Sequence, residues 1–205
     1  MWKLWVLLAI LGVAAVLAGW LRPAAARPRF FRQAGLVLAA GLGLIGGGWF
    51  GAEVFADPGG WRATGLVAGV LVPVAGLLLV AWYRPAWATV LCSVLTAALV
   101  GLSMWFFVDP DGWRAFENDA GPVRAIATLA LAAPVALLGW RRPLPAGVLL
   151  VVLGVVPVVL SAAGTVRGLG SLTAVSLPLV LIGALFLLAE AVRGRAPAAR
   201  RETRA

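Results

Sequence analysis

The chain has no histidine among its 205 residues, a single cysteine (Cys92), a single lysine (Lys3) and a single tyrosine (Tyr83). Imidazole is the commonest ligand for zinc, copper and haem and the usual general base near neutral pH, so its absence removes most metal and acid–base chemistry. One thiol forms neither an intrachain disulfide nor a CxxC redox pair. A lysine-linked retinal needs an amine at mid-membrane, and Lys3 stands at the start of the chain. Charge is scarce too, at 12% of residues with only eight acids, against about a quarter of residues in a soluble domain. Membrane hydrolases built on histidine, and proteases built on aspartates in mid-helix, both lack their parts here. The sequence therefore predicts no enzyme and no cofactor.

What is present is apolar. Hydrophobic residues make up 62% of the chain and the mean hydropathy is +1.01, which no soluble globular domain reaches. Apolar runs lie at about 2–21, 34–54, 64–83, 88–107, 123–140, 146–166 and 171–191, broken by arginine, Asp-Pro or Gly/Pro punctuation. A bilayer core takes about 20 apolar residues per helical crossing, and unpaired backbone amides are costly in lipid. The pattern predicts an all-α, polytopic bundle of seven transmembrane helices. Residues 1–192 form one transmembrane domain, and 193–205 form a basic tail expected to be disordered.

Arginine sets the orientation, because basic residues beside short loops are retained in the cytoplasm. Arg22, Arg27, Arg29, Arg32, Arg84, Arg141 and Arg142, with the five arginines of the tail, put twelve cations on one side; Lys3, Arg62, Arg114, Arg124 and Arg167 put five on the other. The N-terminus is expected outside and the C-terminus inside, in the cell membrane. Met1-Trp2-Lys3 with Ala24-Ala25-Ala26 imitates a secretory signal, but the first apolar run exceeds the ~7–15 residues of a signal core and arginines follow it directly. Span 1 is expected to stay.

An internal repeat is legible. Trp20-Leu21-Arg22-Pro23, Trp82-Tyr83-Arg84-Pro85 and Trp140-Arg141-Arg142-Pro143 are one motif, W-x-R-P, in three copies. Opposite them, Asp57-Pro58-Gly59-Gly60-Trp61-Arg62 matches Asp109-Pro110-Asp111-Gly112-Trp113-Arg114. Each unit reads as motif, helix out, turn, helix back, which makes parallel two-helix repeats about an axis along the membrane normal. Tryptophan at a span end sits at headgroup level, arginine holds the inner face, and proline stops the helix for want of an amide hydrogen.

Two sets of residues stand out as candidate sites. Glu53, Asp57 and Asp109, with Arg62 and Arg114, gather by sequence at the outer face and form a candidate polar site, although interfacial water and neighbouring arginines explain them equally well. On span 2, Gly35, Ala39, Gly43, Gly47 and Gly51 recur every four residues and form a stripe for close helix packing, within the chain or between copies of it. No acid or base occupies the middle third of any span, so proton-coupled transport has no relay. The basic tail has an anionic leaflet beside it, and nucleic acid is not an expected partner. Two functions remain: a non-catalytic accessory or scaffolding subunit acting through helix contacts, and a small transporter or binding subunit for an apolar or weakly polar solute. A polar cavity beside Pro73, Pro134 and Pro178 would favour the second, and a sealed aliphatic core the first.

Overall fold

The computed structural model describes residues 2–55, 67–109, 111, 123–162 and 170–202. Seven α-helices run through them: α1 Trp2–Trp20, α2 Arg27–Phe55, α3 Val72–Tyr83, α4 Pro85–Val108, α5 Val123–Leu138, α6 Pro143–Ala162 and α7 Gly170–Glu202. A π-helical turn, Val67–Leu71, leads straight into α3, and no strand occurs among the described residues. Helices close their own backbone hydrogen bonds, which is the requirement of a hydrocarbon solvent. Three stretches, Arg27–Gly48, Pro85–Leu102 and Ser176–Gly194, are long and apolar enough to cross a membrane; Leu7–Trp20, Ala68–Tyr83, Ile126–Leu138 and Pro143–Val156 are shorter apolar stretches.

The helices follow the apolar runs, but α2, α4 and α6 begin earlier than hydropathy alone predicts, and proline is the reason. Pro85 is the first residue of α4 and Pro143 the first of α6. Pro23 opens the turn into α2, its carbonyl accepting the amides of Ala26 at 2.9 Å and Arg27 at 3.3 Å. A first-turn amide has no intrahelical acceptor in any case, so proline costs nothing there and its fixed φ suits the helix. The motif proline thus starts the next helix rather than merely stopping the last one. At the other end of the chain, α7 carries on through Arg193, Arg195, Arg200 and Arg201 to Glu202, where composition alone predicts disorder. Alanine and arginine are strong helix formers, but Gly194 and Pro197 in the same stretch are not.

α5 and α7 organise the bundle. α7 packs most extensively on α6, then on α2, and also meets α1 and α5, whereas α5 touches α2, α3, α4, α6 and α7. The shared core holds Phe31, Leu42, Val135, Leu150, Leu179 and Phe186, all fully or almost fully buried. Both phenyl rings lie against a glycine. A Cβ on Gly19 would stand 2.0 Å from the Phe31 ring, and one on Gly139 would stand 2.6 Å from the Phe186 ring. The α6–α7 contact differs in kind, backbone against backbone. A Cβ on Gly183 would come within 2.8 Å of the Gly147 carbonyl oxygen, and one on Gly154 within 2.8 Å of that of Ser176. Of the hairpin units, α4 packs on α5 and α6 on α7, while α2 lies against α1, α5 and α7.

The outside of the bundle is as apolar as its core. Ile10, Leu17, Val37, Leu44, Leu79 and Val94 are among many large hydrophobic side chains that are more than half exposed. Soluble monomers rarely carry so much contiguous apolar surface.

Candidate functional site

The three W-x-R-P copies meet at one end of the bundle. In the first, the Arg27 guanidinium folds back on the end of α1, donating Nη2–H to the Trp20 carbonyl at 3.0 Å and Nε–H to the Arg22 carbonyl at 2.9 Å. The same guanidinium lies over the Trp20 ring, 5.3 Å from its centroid. Arg22 lies over Phe30 at 5.2 Å. These contacts satisfy carbonyls that the end of a helix leaves without amide donors.

Two longer links join this copy to the others. Arg32 on α2 donates Nη1–H to the Trp140 carbonyl at 3.4 Å, across 108 residues of sequence. Arg141 lies over the Trp82 ring, its Cζ 5.5 Å from the centroid. The first copy is thereby tied to the third, and the third to the second. Trp20, Trp82 and Trp140 are all substantially exposed, as are Tyr83 and Trp87, so indole and phenol rings rim the arginines at this end.

The motif also places its arginines where helix polarity adds to their charge. Arg84 immediately precedes α4, and its carbonyl accepts the Ala88 amide at 3.0 Å; Arg142 immediately precedes α6, and its carbonyl accepts the Ala146 amide at 3.3 Å. Neither helix, nor α2, has an acid in its first turn, although a carboxylate is what a helix N-terminus favours. Against Arg22, Arg27, Arg29, Arg32, Arg84, Arg141, Arg142 and Arg193, this end offers one described carboxylate besides the terminal Glu202, namely Glu190, half-buried on α7.

The outer-face candidates fare differently. Asp57, Arg62 and Arg114 lie outside the described residues. Glu53 sits in the last turns of α2, and Asp109 directly follows α4 in an exposed position. No group of three metal-ligating side chains comes together among the described residues.

The span-2 stripe divides into parts. Gly35 is buried with the Phe186 ring 3.2 Å from where its Cβ would be, and Ala39 is partly buried on the core. Gly43 and Gly47 are exposed, with nothing within 4 Å of an added Cβ. Gly51 belongs to α2, but its surroundings are not among those described. The stripe is therefore not one continuous seam inside the chain. The glycines that bring backbone against backbone are Gly147, Gly154 and Gly183. Gly147 and Gly154 stand seven residues apart, two helical turns on one face, and that spacing was the signal available in the sequence.

Pro134 and Pro178 are buried in the core. Pro73 instead borders an open cleft of about 350 Å³ between the π turn, α3, α4 and α5, whose walls include Gly69, Val70, Leu99 and Leu131. Its lining has no charged or hydroxyl side chain. Of the hydroxyls in depth, Ser93 donates to the Thr89 carbonyl at 2.7 Å, and Thr89 to the Pro85 carbonyl at 2.8 Å. Thr96 is 3% exposed and its Oγ1 has no hydrogen-bond partner.

Comparison with known protein families, with curated proteins and with solved structures finds no match for this chain.

Proposed function

We propose that this protein is a non-catalytic, multi-pass subunit of the cell membrane, acting through helix–helix contacts as an accessory or scaffolding element of a larger membrane assembly. All seven helices cross the bilayer, with the N-terminus outside, the W-x-R-P end at the cytoplasmic face and the hairpins arranged as parallel repeats. The observation that carries this reading is the outward face of α2. Glycine in a helix costs roughly 0.5–1 kcal/mol relative to alanine, and although Gly69, Gly76, Gly101 and Gly194 are also open, only α2 carries three open glycines within six residues. Gly43, Gly47 and Gly48 have nothing within 4 Å of an added Cβ, and exposed Val37 and Leu44 flank them. In lipid, small residues allow close approach of a second helix, and the van der Waals contact so gained offsets their cost. Replacing Gly43 and Gly47 together by leucine tests this. Chemical crosslinking in native membranes should lose its heterologous adducts while the chain still folds; crosslinks that persist at full yield would contradict the reading.

The apolar cleft beside Pro73 favours a second reading, a binding subunit for an apolar solute. Its volume lies at the low end of ligand pockets. A π turn often marks a functional site, and Pro73 cannot supply the amide that the Gly69 carbonyl would accept in an α-helix. Ala98→Phe, on the α4 wall of the cleft, would fill it. Under this reading the substitution displaces a bound solute; under the first it changes nothing but packing.

A further inference from the structure

We propose that the junction of the second and third W-x-R-P copies is a seat for the phosphate of an anionic phospholipid, with Arg84 and Arg142 as its anion-binding residues. The inference rests on the placement of this end of the bundle at a membrane surface.

Four of the eight arginines at this end are used within the chain. Arg27 and Arg32 bond to carbonyls, and Arg22 and Arg141 stack on Phe30 and Trp82. Arg84 and Arg142 differ from these. Both are exposed, and neither guanidinium has a hydrogen-bond, ion-pair or ring partner among the described residues; Arg29 and Arg193 share this, but only Arg84 and Arg142 flank the Trp82–Arg141 contact. The Arg141–Trp82 contact joins the two segments that carry them, since Arg84 lies two residues from Trp82 and Arg142 is adjacent to Arg141. Each also directly precedes a helix whose first turn has no acid, so the positive ends of α4 and α6 add to the two guanidiniums. No described carboxylate contacts Arg84 or Arg142, and an anion completes the pair. Guanidinium offers a planar pair of donors suited to phosphate oxygens.

The rim identifies the anion. Trp82, Tyr83, Trp87 and Trp140 surround the junction and are 50%, 70%, 66% and 44% exposed. Amphipathic rings take up that position at headgroup depth, where glycerol and the first acyl carbons lie beside them. A phosphate free in water gains nothing from such a rim, whereas a phospholipid places its phosphate on the arginines and its acyl chains along the apolar outside of α3 and α4. Basic notches between helices at the cytoplasmic face recognise anionic lipids in this way.

The test uses the full chain, reconstituted in bilayers of equal phosphatidylglycerol and phosphatidylcholine, then extracted and purified so that co-purifying lipids are quantified by mass spectrometry. The wild type should retain phosphatidylglycerol over phosphatidylcholine by about tenfold, and the Arg84→Gln/Arg142→Gln variant should fall to the bulk ratio. The Arg84→Lys/Arg142→Lys variant keeps the charge and should retain most of the enrichment, which separates loss of the site from loss of the fold. Added inorganic phosphate should leave the enrichment unchanged; displacement by millimolar phosphate would overturn the lipid assignment. Equal enrichment in the wild type and the glutamine variant would overturn the site, with insertion in the bilayer intact. Release of the chain from bilayers by alkaline carbonate would instead overturn the membrane placement, and this site with it.

Discussion

The Arg27 guanidinium closes the end of α1 by donating to the Trp20 carbonyl at 3.0 Å while lying 5.3 Å over the ring of the same residue. One side chain thus supplies a hydrogen bond to an orphan carbonyl, a second to the Arg22 carbonyl and a cation–π contact. All three bind the first two helices into a hairpin. Because the group is exposed, each contact contributes modestly: hydrogen bonds from charged donors give at most about 1.5–3 kcal/mol, and exposed cation–π contacts about 0.5–1 kcal/mol. Arg27→Ala should lower stability in detergent by about 1–2 kcal/mol. Arg27→Lys should restore only part, since an ammonium cannot donate in the guanidinium's planar geometry. Unfolding followed by tryptophan fluorescence checks both; identical midpoints for all three proteins would contradict the assignment.

The α6–α7 seam predicts a much larger effect. Gly183→Leu drives a side chain into the Gly147 carbonyl and the Val151 amide, 2.8 Å and 3.0 Å from the new Cβ. Backbone cannot yield cheaply there, and overpacking of this kind costs at least about 1–3 kcal/mol. Yield of monodisperse protein in size-exclusion chromatography should collapse for Gly183→Leu and stay at the wild-type level for Gly43→Leu. The reverse order would mean that the two faces have been assigned the wrong way round.

Thr96 predicts a gain. Its hydroxyl is buried without a partner, and an unsatisfied buried polar group costs about 1–3 kcal/mol, which an isosteric apolar residue removes. Thr96→Val keeps the β-branched shape and should raise the thermal midpoint by an amount equivalent to about 1 kcal/mol. A fall of similar size would show that the hydroxyl has a partner in the membrane.

Orientation has its own test. Cys92 is fully buried, so the native thiol should not compete with an introduced one. In intact cells an impermeant maleimide should label Asn118→Cys and spare Arg200→Cys. Labelling at position 200 but not at 118 would invert the topology.

The seven helices were legible because each carries an apolar run bounded by charge, and hydrophobicity needs no tertiary knowledge to be seen. Their beginnings were less so. Pro85 and Pro143 end one helix and start the next with the same missing amide, and a sequence displays the absence without saying which helix uses it. The stripe on α2 was visible by its period, yet period alone does not reveal a partner: Gly35 meets Phe186, while Gly43 meets nothing. Gly147 and Gly183 come together only through the antiparallel docking of α6 and α7, a relation between distant segments. So do Arg32 and Trp140. W-x-R-P was readable as an interfacial device three times over, but its assembly into a single basic, aromatic-rimmed surface required the fold.

The central claim, that the chain works as a subunit among other membrane proteins, is tested most directly by excising it from its native membrane in polymer nanodiscs and weighing the intact particle by native mass spectrometry. The account predicts foreign subunits in fixed stoichiometry, lost when Gly43 and Gly47 are both leucine. A lone chain or homo-oligomer that retains one discrete apolar small molecule, released by Ala98→Phe, would contradict it.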